Sequence, residues 1–281
     1  MKLIALCNFK NEEWILPIWL KRTSEFADEI IALDDGSTDN TFKMLNEHPK
    51  VKKIIRNPIN QDFNELKNRQ KLLNEAKKRD ADWVIHLDAD EIMDARLAEK
   101  KHELLNRENV DIYYFREVSL WRSTKEWRTD KPEMYNRIHK GFAVMARITP
   151  GLRWVYPYKF FFKHQINFFL KHLKFSRFLG QGSKLINERN TYKKIIENKI
   201  NGRKSFTFKT VELSDVVKLH YHFVDWDKMY KRHMFYAVRH SYETRAGVND
   251  FWEVVDWATS RIDEKGIKLE PVKPEWGVLD L

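Results

Sequence analysis

The 281-residue chain contains one cysteine, Cys7. A lone cysteine excludes an intrachain disulfide and fits a reducing compartment. On an apolar run it is expected to be core rather than a nucleophile. No stretch of about 18 or more apolar residues is present, so no bilayer span is expected. The N-terminal apolar run covers only Leu3 to Leu6 and is strand-like, so no secretory signal is read there. No G-x-G-x-x-G follows that run, which disfavours a dinucleotide fold, and no G-x-x-x-x-G-K-[ST] occurs, which excludes a P-loop. Internal repeats, low-complexity linkers and nucleic-acid-binding motifs are lacking too. A cytoplasmic location is expected.

Hydrophobic residues make up 42% of the chain, enough for a real core. The net charge of +10 is unevenly spread. Residues 1–150 hold 27 basic and 26 acidic residues, residues 151–210 hold 14 and 2, and residues 211–281 hold 10 and 13. The basicity therefore belongs to one segment.

The stretch Trp83-Val84-Ile85-His86-Leu87-Asp88-Ala89-Asp90-Glu91 ends an apolar run in three carboxylates. It reads as a buried strand with Asp88 and Asp90 at its C-terminal edge, where open α/β sheets bind ligands. Two aspartates one residue apart can reach one hard cation, and a cation there suits a diphosphate. A solvated acidic turn is the alternative. Lys2 to Cys7 and Glu29 to Leu33 also read as strands. They lead into Asn8-Phe9-Lys10-Asn11-Glu12-Glu13 and Asp34-Asp35-Gly36-Ser37-Thr38-Asp39-Asn40-Thr41. Trp14 to Phe26 between them reads as a helix, with Pro17 in its first turn. Strand-helix-strand order brings the three carboxylate-bearing loops to one side of a parallel sheet.

Further strands are expected at Val51 to Arg56, Val110 to Leu120, Gly141 to Ile148 and Val216 to Phe223, the second and third paired at the sheet edge. Helices are expected at Asp39 to Leu45, Asn64 to Lys78, Ala95 to Asn106, from Lys159 onward, at Trp226 to Thr244 and at Phe251 to Glu264. His220 and His222, two apart on a strand, point the same way. They are either ligands or an ordinary polar strand face.

Asn11-Glu12, the string Asp34 to Thr41, and Asp88-Ala89-Asp90-Glu91, in that order, resemble the motif series of family 2 glycosyltransferases with the GT-A fold. The likeness is to the bacterial branch whose D-x-D continues as D-A-D-E, including lipopolysaccharide-core and capsule transferases. Asn64 to Gln70 resembles that branch's helix with an Arg facing the nucleotide, and His220-Tyr221-His222 its late H-Y-H segment. The resemblance is clear over about residues 1–130 and patchy beyond.

It implies roles. Phe9, Asn11 and Glu12 would line the base and ribose pocket. Asp34 or Asp35 would bind base or ribose, with Gly36 permitting the turn, and Arg69 would reach the nucleotide. Asp88 would contact ribose or metal-bound water, Asp90 would ligate the cation, and His220 or His222 would complete its shell. The cation would be Mn²⁺ or Mg²⁺, a histidine ligand favouring Mn²⁺. The residues alone leave alternatives: a turn and helix N-cap at Asp34 to Ser37, and a solvated Arg69. Asp39 reads as a first-turn acid, and Glu91 and Asp94 as residues that shape the loop.

An inverting transfer needs a base near the acceptor hydroxyl. Asp130 and Glu133 are the candidates, Asp130 favoured by an R-x-D pattern of the branch. Trp121 and Trp127 are either acceptor-stacking rings or core. Arg153 to Phe178 carries ten aromatic and six basic residues and no acid. From Lys159 a helix would gather Lys163, Lys171 and Lys174 on one face, with Phe162, Ile166 and Phe169 mostly on the other. That is the pattern of a helix at an anionic membrane surface, or of a core-packed helix with a solvated basic face.

The expected architecture is an α/β GT-A-like fold with a mostly parallel central sheet flanked by helices and a helical C-terminal extension. Residues 1–150 form the nucleotide-sugar-binding and catalytic core. Residues 151–281 supply the basic segment, a metal-shell strand and closing helices packed on the same domain. The expected activity is transfer of a sugar from a nucleotide diphosphate sugar to an acceptor hydroxyl, inverting and metal-dependent, in surface glycan synthesis. The acceptor would be a glycan or lipid-linked, at the inner face of a membrane, with no nucleic-acid partner. A non-catalytic nucleotide-sugar or glycan-binding protein of the same fold is the alternative.

Overall fold

The computed structural model describes residues 1–59, 64–131, 136–138, 144–149, 152, 154, 209–243 and 262–281. By contacts the chain divides into a unit of Met1–Ile148 with Thr210–Leu281 and a second unit of Thr149–Lys209. In the second, described at four residues only, the Leu152 N–H donates to the Thr149 carbonyl at 3.0 Å. The expected helix from Lys159 onward, most of the one at Phe251 to Glu264, most of the basic segment, and Glu133 lie outside the described residues; Ile262 to Glu264, the end of that second helix, are not helical.

In the first unit the chain opens with β1 (Leu3–Phe9), α1 (Leu16–Phe26), β2 (Glu29–Asp34), α2 (Thr41–Glu47), β3 (Val51–Arg56), α3 (Glu65–Lys78) and β4 (Trp83–His86). β1 lies between β2 and β4, parallel to both, and β3 continues the sheet beyond β2. β1 and β4 are almost wholly buried, which accounts for their uninterrupted apolar sequences. α1 starts with Pro17 in its first turn, where the missing N–H costs no bond, and buries Leu16, Trp19, Leu20, Thr23 and Phe26. α3 is capped by Asn64, whose side chain accepts from the Lys67 N–H at 2.9 Å. Its buried stripe runs Asn68, Arg69, Leu72, Leu73, Ala76. The polar pair at the N-terminal end of that stripe lies nearest the carboxyl edge of the sheet.

The rest of the unit is antiparallel or mixed. β5 (Glu91–Met93), α4 (Arg96–Asn106), β6 (Ile112–Trp121), β7 (Glu126–Arg128), β8 (Asn136–Ile138) and β9 (Val144–Arg147) follow. The sheet order is β11-β7-β6-β9-β4-β1-β2-β3, with β11 at Leu269–Pro271. β6 and β9 do pair, but in mid-sheet, because β9 also pairs with β4. The long β10 (Thr210–Phe223) runs parallel to β6 and antiparallel to β5. After β10 comes α5 (Trp226–Glu243). The mostly parallel centre flanked by helices is the α/β architecture expected.

Candidate active site

The loops after β1, β2 and β4 meet at the carboxyl edge of the parallel strands. The first two are laced together. The Asn11 N–H donates to Ser37 Oγ at 3.0 Å, and Asn11 Oδ1 accepts from the Thr38 N–H at 2.8 Å. The Glu12 N–H donates to Thr41 Oγ1 at 2.8 Å. Asn11 adopts φ 56, a left-handed conformation that asparagine tolerates. Gly36 is at φ 76, and a Cβ there would lie 2.6 Å from the Ile59 Cα. Only glycine fits this turn against the chain beyond β3. Asp39 accepts from the Thr41 and Glu13 N–H groups, ahead of the Asn40 cap of α2 rather than in its first turn as expected.

Asp34 and Asp35 differ. Asp34 is fully buried, accepts from the Ser37 N–H at 3.0 Å, and has Arg56 Nε 3.1 Å from its other oxygen. Asp35 Oδ1 accepts from Asn57 Nδ2 at 2.6 Å and from Asn68 Nδ2 at 3.4 Å. Its Oδ2 is buried with no hydrogen-bond partner among the described residues. Asp34 Oδ2 likewise lacks a hydrogen bond but has the Arg56 charge beside it, so the less compensated buried acceptor of the two is on Asp35. Phe9 does not reach the cleft with its ring. It is 1% exposed and packs edge-on against Trp19, so the expected pocket contact gives way to core packing.

Arg69 projects from α3 between two carboxylates, with Nε on Glu65 Oε1 at 2.9 Å and Nη2 on Asp88 Oδ1 at 2.8 Å. Asp88 is half-exposed. Its backbone N–H donates to Glu91 Oε2 at 2.9 Å, so Glu91 shapes the acidic loop. Asp94 does the same one turn on, accepting from the Arg96 and Val217 N–H groups.

β5 brings the acidic loop to the late histidines. His220 pairs with Glu91 across the β5–β10 ladder, and the Tyr221 N–H donates to the Asp90 carbonyl at 2.8 Å. Both imidazoles therefore face Asp90, stacked with ring centroids 5.3 Å apart. His222 Nδ1 is 3.1 Å and His220 Nε2 3.7 Å from Asp90 Oδ2. One ligand atom from each of Asp90, His220 and His222 lies within 4.8 Å of the others. One carboxylate oxygen with two imidazole nitrogens suits a divalent transition ion such as Mn²⁺. The donor set fits the cation the resemblance implies.

Burial alone would raise Asp90. Hydrogen bonds from His220 and His222 and the charge of Arg232 outweigh it and hold the carboxyl well below the usual range. Burial pulls His222 down to about 4, so its ring is neutral at pH 7 with a lone pair to offer. Burial also pulls on His220, but Asp90, Glu117 and Glu91 together raise it. Beneath this layer Lys218, 2% exposed, bonds Glu91 and lies 2.9 Å from Glu117. Burial pushes Glu91 up to about 7 against the pull of Lys218. Cys7 is fully buried with its thiol raised by burial, as expected of a core cysteine.

Two site residues escaped the sequence. Arg232 on α5 spans the cleft, with Nη1 on Asp90 Oδ2 at 2.6 Å and Nη2 on Glu12 Oε1 at 2.5 Å. Its neighbour His233 places Nε2 2.8 Å from His222 Nε2. No local motif marks either; the helix reads only as an amphipathic closing helix.

Asp130 is bound bidentately by Arg128, Nε to Oδ1 at 2.7 Å and Nη2 to Oδ2 at 3.0 Å. That hydrogen bonding lowers its pKa. A carboxylate held this way fits a structural ion pair better than a proton acceptor. Trp121 and Trp127 are buried, Trp121 against Phe223 and Trp127 against Trp276, so neither offers a face to an acceptor sugar. Among the described residues no helix is long and apolar enough to cross a membrane.

The Glycosyl transferase family 2 model matches residues 7–170, more than half of the chain, and the chain belongs to that family. TarS from S. aureus aligns over 93% of this chain and 71% of its own at 14% identity, TM-score 0.46. TarS in complex with UDP-GlcNAc aligns over 43% of this chain and 35% of its own at 18% identity, TM-score 0.38. Glucosyl-3-phosphoglycerate synthase from Mycobacterium tuberculosis, in complex with Mn²⁺, UDP and glucosyl-3-phosphoglycerate, aligns at 15% identity, TM-score 0.34. That match covers 52% of this chain and 56% of the synthase. The chain thus spans about a third of the TarS chain bound to UDP-GlcNAc. No curated protein matches the chain.

Proposed function

We propose that this member of glycosyl transferase family 2 moves a sugar from a nucleoside diphosphate sugar to an acceptor hydroxyl with the help of a divalent cation. One observation carries the reading. Asp90, His220 and His222 converge beside the Asp88–Arg69 pair, at the edge of the parallel sheet where Asp35 keeps a buried oxygen without a donor. Asp35 Oδ2 would accept from the base or ribose. Arg69 holds Asp88 toward the cleft for the ribose and places a guanidinium near the phosphates. A cation on Asp90, His220 and His222 would offset the charge of the departing diphosphate. Inversion at the anomeric carbon requires a base on the far side of the sugar. Asp130 and Glu133 are the sequence candidates, and the Arg128 pair weakens Asp130 for that role. Surface glycan synthesis in the manner of the D-A-D-E branch is the finer reading, with Arg153 to Phe178 docking the protein at the cytoplasmic leaflet.

The test is a donor screen by thermal shift with UDP, GDP, dTDP and CMP, each with and without Mn²⁺, followed by turnover of the matching sugar donor. Asp90→Ala should abolish turnover and keep the fold. His222→Ala should weaken Mn²⁺ binding more than His220→Ala, since His222 lies closer to Asp90. Full activity of the wild-type protein in excess chelator would refute the metal role.

A further inference from the structure

Arg232 occupies the place the cation would need. Three nitrogen groups converge on Asp90 Oδ2: His222 Nδ1, His220 Nε2 and, nearest, the Arg232 guanidinium at 2.6 Å. A divalent ion on that oxygen would sit at about 2.1 Å. Two cations that close repel strongly even at a protein surface. A cation on Oδ2 and the Arg232–Asp90 bond therefore compete for one oxygen.

Arg232 has somewhere to go. Its side chain is 20% exposed, so it is not fully enclosed. Its second arm rests on Glu12, on the loop after β1, and need not move. The next residue, His233, touches His222 through Nε2 and leaves His222 Nδ1 facing Asp90. Cation binding at His222 Nδ1 thus preserves the His233 contact and the seat of α5. A guanidinium released from a carboxylate at the edge of a diphosphate site matches phosphate oxygens in the same forked geometry.

We propose that Arg232 is an exchangeable counter-ion: it holds Asp90 and Glu12 together before loading, and passes from Asp90 to the donor's diphosphate when the cation binds. This rests on the metal-dependent reading above and adds what it leaves open, a residue on α5 that couples cation and nucleotide binding. Arg232 is a positioning residue for Asp90 and then a diphosphate ligand.

The experiment measures Mn²⁺ affinity by electron paramagnetic resonance, with and without UDP, GDP or dTDP, in wild type, Arg232→Met, Arg232→Lys and Asp90→Ala. Removing the competing charge should tighten Mn²⁺ alone about tenfold in Arg232→Met, while losing the phosphate contact should weaken the Mn²⁺–nucleotide complex about tenfold. Opposite signs on the two measurements are the signature, since general damage to the fold would weaken both. Arg232→Lys keeps the charge but cannot span both carboxylates. It should lie between the two, and it serves in place of Arg232→Met if that variant does not fold. Mn²⁺ binding abolished by Asp90→Ala but equal in wild type and both Arg232 variants would overturn the exchange and leave the metal reading standing. No Mn²⁺ binding in any protein would overturn both.

Discussion

At the scale of single residues, Gly36 shows how little freedom the nucleotide loop has. Two constraints meet there: a positive φ, and a backbone contact that a Cβ would reduce to 2.6 Å. The first alone costs about 1–3 kcal/mol for a residue with a side chain. The second forces Ile59 to move, and with it the chain between β3 and α3 that leads to Asn68 and Arg69. Gly36→Ala should lower unfolding stability by at least about 1 kcal/mol in urea titration. It should also weaken nucleoside diphosphate binding, because Asp35 lies next in sequence. An unchanged denaturation midpoint would show that the turn relaxes freely. The neighbouring carboxylates show the limit of reading such loops from sequence. Asp34 and Asp35 are indistinguishable in a D-D-G-S-T-D string, yet one sits between Ser37 and Arg56 and the other is bonded by Asn57 and Asn68 through one oxygen, with no cation or donor at the second among the described residues. That difference arises from Arg56 on β3 and from Asn57 and Asn68, none of which the string contains.

At the scale of elements, the central strands announce themselves and the joints do not. β1, β2 and β4 are buried on both faces, so their apolar runs are legible in isolation. β5 is three residues long and owes its strand geometry to β10, more than 120 residues later. No local periodicity can carry that, so Glu91–Met93 reads as loop. The same ladder turns His220 and His222 toward Asp90, which explains why their shared direction was legible from the strand alone and their target only through the family resemblance. Trp121 and Trp127 teach the converse: an aromatic, charged segment resembles a sugar-binding wall until Phe223 and Trp276 are seen to cover it. Arg232 and His233 stayed hidden because only the docking of α5 onto β10 gives them partners.

The start of the sheet offers an element-scale prediction. Asp28, between α1 and β2, accepts from the Leu3 N–H at 2.7 Å and pairs with Lys101 on α4 at 2.6 Å, tying β1, β2 and α4 together. Burial would raise its pKa, but the bonds from Lys101 and Leu3 win and lower it. A depressed folded pKa means the stabilisation is full above the ordinary aspartate value and disappears as pH falls through the folded one. Asp28→Asn should therefore lower the melting temperature at pH 7 and match wild type once the pH is below the folded value. A deficit of constant size down to pH 2 would assign the effect to lost geometry rather than charge.

At the scale of the whole molecule, charge and chemistry are separated. Residues 149–209, set apart by their contacts, hold 14 basic and 2 acidic residues, more than the whole excess of +10. The unit carrying Asp35, Arg69, Asp88, Asp90 and the histidines is slightly acidic in sum. The residues proposed for the anionic donor all lie in that first unit, and the basic stretch needs its own account. Ten aromatic residues accompany six basic ones between Arg153 and Phe178. Charge and inserted rings together are the two signals a peripheral protein uses at an anionic surface. Each basic residue near such a surface contributes on the order of 1 kcal/mol, so a handful hold a protein reversibly. Wild-type protein should sediment with phosphatidylglycerol vesicles at low salt and leave them as salt rises. Changing Lys163, Lys171 and Lys174 to Glu should abolish sedimentation while donor hydrolysis in solution is unchanged, since the cation and nucleotide roles are proposed for other residues. Wild-type protein that ignores anionic vesicles at low salt would leave the aromatic residues as core and the lysines as an ordinary solvated face.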